Sequence, residues 1–314
     1  MTDREQLLDE LRPVAFAIAY RMLGSVTEAE DIVQEALLQL HRALEGGQEI
    51  QSPRAFLATV TTRRAIDQLR STRVRRESYV GNWLPEPIIT DRDSDPAQQA
   101  EMADSLSLAM LVLLDSLSPE QRAVLLLHDV FDYDYARIAE IIGKNPDNVR
   151  QLAKRARSHV QEGRPRFETS RDQQQELARR FHAAAQEGDL AGLEALLAHD
   201  VVFTGDGGGR APAPVHPLHG RSRVARTLMS WLEFLTRIPG VELRPTEVNG
   251  SPGTLLLDGE ERVVGVWVLE IGRGEIRGIR SIVNPDKLAH LGPTTDLGSL
   301  LRNSQMPRGD DPTS

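Results

Sequence analysis

Between residues 149 and 160 the chain carries Arg150, Lys154, Arg155 and Arg157 and no acidic side chain. Cations bunched in this way can neutralise phosphates, and the amides and carboxylate among and ahead of them can hydrogen-bond base edges. Asp147, Asn148, Gln151 and Lys154 are therefore the candidates for base readout, and Arg150, Arg155 and Arg157 for backbone contact. A second cationic run lies upstream, with Arg63, Arg64, Arg70, Arg73, Arg75 and Arg76 set against Asp67 alone. A third cluster has the opposite sign. Asp31, Gln34, Glu35 and Leu38 stand at i, i+3, i+4 and i+7, one side of a helix, where a leucine offers apolar area and acids can pair with a partner's arginines. These groups suit contact rather than covalent change. Two basic elements can hold two DNA segments at once, whereas a simple repressor needs one.

The elements that present these clusters are legible in the apolar spacing. In ARIAEIIGKNPDNVRQLAKRARSHV, Ile138, Ile141 and Ile142 mark a buried helix face, Gly143 stops that helix, and Asn145-Pro146 reads as a cap followed by proline at the first helical position. Val149, Leu152, Ala153 and Ala156 form the buried stripe of the next helix and turn Asp147, Gln151, Lys154 and Ser158 outward. This is a helix-turn-helix that suits a major groove. The bland alternative is a solvated basic helix in an ordinary hairpin. The acidic stripe lies on a helix predicted to open with a capping box at Thr27 and Glu30, with Ile32, Val33, Ala36, Leu37 and Leu40 as its core side. A solvated face with one stray leucine is the competing account. Ser52-Pro53 opens the basic helix. Its Phe56 fits a core position.

The chain has 314 residues, 37 basic against 46 acidic side chains, net charge −9, 40 % apolar residues and no cysteine. Without sulfur ligands or thiols, disulfide frameworks, zinc fingers, iron–sulfur sites and cysteine nucleophiles are excluded. Overall acidity argues against indiscriminate nucleic-acid binding. No apolar run has membrane-spanning length, and the charged N-terminus does not read as a signal peptide, so a soluble, cytoplasmic protein without membrane contact is expected. Composition divides the chain into an all-α unit over 1–79, a Pro- and Asp-rich linker over 80–105, a second all-α unit over 106–165, an α+β unit over 172–290, and a polar tail over 291–314 expected to be disordered. In the α+β unit two helices lead to VVFTG, a glycine-rich loop, a further helix, and β-branched runs joined by short glycine turns. That order suggests an antiparallel, curved sheet.

AYRMLGSVTEAEDIVQEALLQLHRA with PRAFLATVTTRRAIDQLR resembles region 2 of bacterial extracytoplasmic-function sigma factors, and LSPEQRAVLLLHDVFDYDYARIAEIIGKNPDNVRQLAKRAR resembles their region 4. WLPEP at 83–87, DGGGR at 206–210 and NPDKL at 284–288 resemble the signatures of the subgroup with a SnoaL-like C-terminal domain. The resemblance covers about 1–290. It implies a multidomain fold: two all-α sigma domains followed by an α+β NTF2-like cone. It also implies a promoter-specificity subunit without cofactor or metal. In that picture Asp31, Gln34, Glu35 and Leu38 meet the β′ clamp helices of core RNA polymerase, and residues 46–76, with Arg63, Arg64, Arg70 and Arg73, hold the −10 strand. The helix-turn-helix reads the −35 element and meets the β flap. With only Phe56 aromatic in 46–76, strand capture rests on the 46–52 loop and promoter choice is expected to be stringent.

For the C-terminal domain two readings compete. Relatives of that fold include cyclases and isomerases that use an Asp–His pair, which makes His182, Asp206, His216, His219 and Trp267 the enzymatic candidates. His182 beside Phe181 reads as structural, Asp206 as a turn residue, and the loop histidines have no orienting partner, so no catalytic residue is assigned. The other reading is regulation in cis. The resemblance implies that Asp206, Gly207, Gly208, Gly209, Arg210, Asn284, Pro285, Asp286 and Lys287 contact the sigma core. Trp83, Leu84 and Pro85 are expected to anchor the domain on the linker and region 2. A stiff polyproline-like spacer is the simpler account of WLPEP. An unidentified small ligand could occupy the cone. A helix-turn-helix repressor, or a bifunctional protein with a cyclase-like or isomerase-like domain, remains the alternative.

Overall fold

The computed structural model describes residues 3–90, 107–163, 169–235 and 238–300, with the side chains of 3, 73–77, 162 and 163 outside that description. The chain forms two units, one from residues 1–78 and 92–165, the other from 79–91 and 166–314. The linker expected at 80–105 is thus split, and its first part belongs to the C-terminal unit.

The first unit contains α1 (Asp3–Leu23), α2 (Val26–Glu45), α3 (Pro53–Glu77), α4 (Leu108–Asp115), α5 (Pro119–Asp129), α6 (Tyr135–Ile142) and α7 (Pro146–Gly163). The acidic helix begins earlier than its expected capping box. Ser25 is the cap, its hydroxyl accepting from the Glu28 amide at 3.1 Å, so Thr27 already lies in the first turn and Glu30 reaches Arg12 instead. Ser52 caps α3 as expected, 3.2 Å from the Ala55 amide. Phe56 is half-buried rather than a full core residue. The turn between α6 and α7 is also as read: Gly143 closes α6 at φ +67°, and Asn145 accepts from the Asn148 amide at 2.8 Å. Val124, Leu127, Ile138, Ile141, Val149 and Ala153 fill the core below it.

Arginines join the two helical parts of this unit. Arg122 of α5 is 2 % exposed, donates from Nε to the Arg21 carbonyl at 3.0 Å, and lies 3.5 Å from Asp115. Arg63 donates to the carbonyls of Ile141 (2.7 Å) and Glu140 (2.9 Å), groups left without helical partners where α6 ends. Arg70 pairs with Glu120 at 2.5 Å, and Arg137 returns the contact to Thr59 at 3.3 Å.

The second unit contains α8 (Arg171–Glu187), α9 (Leu190–Leu196), β1 (Leu197–Asp206), β2 (Leu218–His219), α10 (Arg221–Leu235), β3 (Glu242–Val248), β4 (Ser251–Leu257), β5 (Val263–Gly272) and β6 (Glu275–Ile282). The sheet order is β2-β1-β6-β5-β4-β3. The antiparallel expectation holds from β3 through β6 and fails at one pair: β1 and β6 run parallel, with Asp206 opposite Ile282. Phe181, Leu193, Phe203, Leu228, Trp267 and Ile279 meet in the core. The tail also departs from expectation, because residues 292–300 are ordered and Leu297 is buried; 301–314 lie outside the described residues. Among the described residues no helix is long and apolar enough to cross a membrane.

Replacing Arg122 with Ala removes a buried charged donor and its hydrogen bond to the Arg21 carbonyl, which should cost on the order of 2 kcal/mol in urea melts. The R63A/R70A/R122A chain should expand in solution scattering; a lower melting point with unchanged dimensions would show that these arginines stabilise without clamping.

Candidate functional site

Parallel pairing sets the geometry of the C-terminal site. Because β1 and β6 run the same way, both chains leave the sheet at the same end, and the segments that follow them, DGGGR and NPDKL, emerge side by side. The Asp206 carbonyl accepts from the amides of Val283 (2.9 Å) and Asn284 (3.1 Å), extending the join by one turn. Asn284 caps the short helix Pro285–Lys287, which aims the Lys287 side chain back at Asp206.

Asp206 is not the turn residue expected. It has no exposed surface, and its carboxylate collects three donors: the Tyr79 hydroxyl on Oδ1 at 2.6 Å, and the Leu84 amide and Lys287 Nζ on Oδ2, each at 2.7 Å. Lys287 is itself buried, also donates to the Leu84 carbonyl, and lies 4.1 Å from the Trp83 ring centroid and 4.9 Å from that of Tyr79. A charged pair so enclosed is sustained by these further hydrogen bonds and by the aromatic faces. Burial, and next the Asp206 charge, push the Tyr79 hydroxyl far above the usual phenol range, so it stays a donor.

The other motif residues close the cluster. Asn284 donates to the Tyr79 oxygen at 2.9 Å, and Arg210 pairs with Asp286 at 2.9 Å. Gly208 sits at φ +58°, where a Cβ would fall 2.2 Å from Asn284 Nδ2 and 2.8 Å from the Tyr79 oxygen. A Cβ on Gly207 would fall 2.0 Å from the Ala211 carbonyl oxygen. The glycines are therefore filled space rather than slack.

WLPEP is buried from Leu84 to Pro87, unlike a free polyproline-like spacer. Asn82 donates to the carbonyls of Gly205 (3.3 Å) and Pro214 (3.1 Å). Ile88 and Asn249 exchange hydrogen bonds, and the Thr90 amide donates to the Glu247 carbonyl at 2.8 Å. Residues 79–90 therefore bind the α+β unit along their length. Tyr79, Asn82 and Asn249 were missed from sequence; an aromatic and an amide just ahead of WLPEP were the only available signal.

The enzymatic candidates do not assemble. His182 is buried in α8, donates from Nδ1 to the Ala178 carbonyl at 2.7 Å, and accepts at Nε2 from Thr254 at 2.6 Å. Burial holds its pKa below the usual histidine range. Among the described residues it does not meet Asp206. His216 and His219 are exposed, and Trp267 is a core residue of β5.

In the helical unit, Asp31, Gln34, Glu35 and Leu38 all face solvent, with Leu38 at 47 % exposure. Arg64 reaches Glu35 from α3 at 2.8 Å. Asn148, Gln151, Lys154 and Arg155 are exposed on α7, as are Asp147 and Arg150, which pair at 2.7 Å. Three arginines assigned to DNA contact also have partners within the chain. Arg63 and Arg70 hold region 4 elements, as described above. Arg157 bonds Asp129 and, at 3.1 Å, the Tyr135 hydroxyl; the Asp129 bond raises its pKa. Carbonyl ends and carboxylates within reach outcompete water for these cations. The Arg73 side chain lies outside the described residues.

Comparison with known proteins bears on the whole chain. Family models match Sigma-70 region 2 at residues 7–75, Sigma-70 region 4 at 107–160 and a SnoaL-like domain at 178–282. The ECF RNA polymerase sigma factor SigJ of Mycobacterium tuberculosis is 36 % identical over 289 residues, covering 89 % of this chain and 91 % of the relative. The probable ECF sigma factor SigI of the same organism is 33 % identical over 278 residues, with 86 % and 90 % covered. The crystal structure of M. tuberculosis SigJ superposes with a TM-score of 0.74 at 34 % identity, covering 90 % of this chain and 98 % of that one. With regions 2 and 4 present in order and both ends of the match nearly complete, this chain belongs to the extracytoplasmic-function sigma factors of RNA polymerase, with a SnoaL-like domain behind region 4.

Proposed function

We propose that this sigma factor is held in check and released through the segment its own C-terminal domain captures. The observation that carries the reading is the convergence of WLPEP, DGGGR and NPDKL on one buried carboxylate, Asp206. Residues 79–90 follow directly on the first segment of the helical unit, which ends at Ser78, so capturing them takes chain away from the connector to region 4. A shortened connector restricts how far α1–α3 and α5–α7 can separate, and therefore biases the balance between a closed unit and one open to polymerase. Arg63 and Arg70 serve the closed state through Ile141, Glu140 and Glu120, and the same cations become free for DNA when it opens.

In the open state Asp31, Gln34, Glu35 and Leu38 dock on the β′ clamp helices of core polymerase, and residues 46–76 hold the −10 strand. Asp147, Asn148, Gln151 and Lys154 read the −35 bases, Arg150 and Arg155 hold phosphates, and region 4 meets the β flap. The solvent exposure of the acidic stripe and of the outer face of α7 supports this assignment. These events belong to the cytoplasm. The reading includes no catalytic step, because Asp206 is neutralised by Lys287 and both ring nitrogens of His182 are occupied. A repressor reading leaves the exposed Leu38 stripe without a role.

Asp206→Asn and Lys287→Met each break the buried pair, at a cost of about 3–5 kcal/mol to the docked segment. Faster hydrogen exchange at the amides of Leu84, Ile88 and Thr90, with a several-fold change in run-off transcription by reconstituted polymerase, is expected; faster exchange with unaltered transcription removes the regulatory reading. Leu38→Arg should abolish co-elution with core polymerase while leaving the circular dichroism unchanged. The pH dependence has a definite sign. A histidine in unfolded chain titrates at about 6.5, and burial lowers the folded value, so the unfolded state gains protons first and stability falls as pH drops through that range. His182→Gln should flatten this loss between pH 7 and 5 in thermal melts.

A further inference from the structure

The captured segment is tied to the sheet partly through a dipeptide with chemistry of its own. Asn249-Gly250 is the one Asn-Gly pair in the chain, and it makes the hairpin turn between β3 and β4, with φ +50° at Asn249 and +70° at Gly250. Such a pair is suited to deamidation, because a glycine nitrogen has no neighbouring side chain to obstruct its approach to the asparagine carboxamide carbon. Here both reacting groups are held by residues 88–90. The Ile88 amide donates to Asn249 Oδ1 at 3.0 Å, and the Gly250 amide donates to Thr90 Oγ1 at 3.0 Å. The Asn249 amide donates to the Ile88 carbonyl at 2.9 Å and the Thr90 amide to the Glu247 carbonyl at 2.8 Å, so Ile89 is bridged to Val248 in antiparallel fashion. Thr90 Oγ1 also donates to Glu247 Oε1 at 3.3 Å. Asn249 is 2 % exposed and makes further contacts besides these.

We propose that Asn249 is a deamidation site, protected by residues 88–90 while they are captured, and that its reaction after their release prevents recapture. In the reaction the Gly250 nitrogen bonds to Asn249 Cγ, its proton passes to the carboxamide nitrogen, which leaves as ammonia, and water opens the resulting succinimide to aspartate or isoaspartate. Nitrogen and carbon meet only if the carboxamide rotates and the peptide plane between the two residues turns. Ile88 restrains the first movement and Thr90 the second. A threonine hydroxyl is too weak a base to draw off the amide proton, so the Thr90 contact restrains without activating. Isoaspartate carries the main chain through the former side-chain carbon, one methylene longer, and the partners of Ile88 and Thr90 fall out of register. Each release thus exposes the chain to permanent loss of the docked state. That consequence rests on the reading that the segment is released in use; the deamidation itself is measured without polymerase or promoter, so either can fail alone.

The test incubates the full-length chain in mildly alkaline buffer and follows, by peptide mass mapping, the gain of one mass unit in the peptide that holds Asn249. Thr90→Val should deamidate about fivefold faster than the parent, the weight of one hydrogen bond, and Thr90→Ser should keep the parental rate. Equal rates in Thr90→Val and the parent would overturn the protection. A measurement on the unaltered chain covers failure of the variant to fold. A synthetic peptide of residues 243–256 should deamidate about tenfold faster than the folded chain, whose local opening limits the reaction, and equal rates there would equally overturn the proposal. For recapture, the isoaspartate form, separated from the parent by charge, should exchange its Thr90 amide several-fold faster; exchange at the parental rate would overturn the loss of docking.

Discussion

A carboxylate with no exposed surface must be neutralised where it stands, and the C-terminal half of this sigma factor is arranged around meeting that condition for Asp206. Its three donors come from far apart in the chain: Tyr79 and Leu84 from the segment after region 2, and Lys287 from the segment after the last strand. Losing any one leaves charge or dipole unpaired in a low-dielectric site, so the three segments are coupled through this carboxylate. An exposed ion pair such as Arg210 with Asp286 adds direction but little energy.

The helical unit uses arginine differently. Arg63 finds the two carbonyls that α6 leaves open at its end, and Arg122 finds the Arg21 carbonyl of α1. Guanidinium groups fit such paired acceptors by geometry, and they fit phosphates for the same reason. The cone shares a wall with the captured segment: Pro214 lines it, and the Pro214 carbonyl accepts from Asn82.

Most elements were legible because their signals are local. The stripes of α2 and α7, the Gly143 stop, the Asn145-Pro146 start and the β-branched runs all follow from spacing within one turn or one strand. Errors came where neighbours outside the window decided the outcome. Ser25 caps α2 in place of Thr27, and Glu30 pairs with Arg12 from α1. Residues 292–300 read as disordered by composition, yet they pair with Val263 through the backbone and set Leu297 and Leu300 against the core. The intramolecular partners of Arg63, Arg70 and Arg157 went unread because they lie on other elements.

By itself the sequence determined the helix-turn-helix, the exposed Leu38 stripe, the order of domains and the identity of three motifs, all properties of residues near one another in the chain. It did not determine that the motifs meet. Adjacent antiparallel strands would have sent the chain after β1 and the chain after β6 to opposite ends of the sheet. The parallel pairing of Asp206 with Ile282 sends both to the same end, where Lys287 can reach the carboxylate and Tyr79 can cap it. Strand direction is a choice made by the whole sheet and the helices packed on it, and no window of sequence contains it.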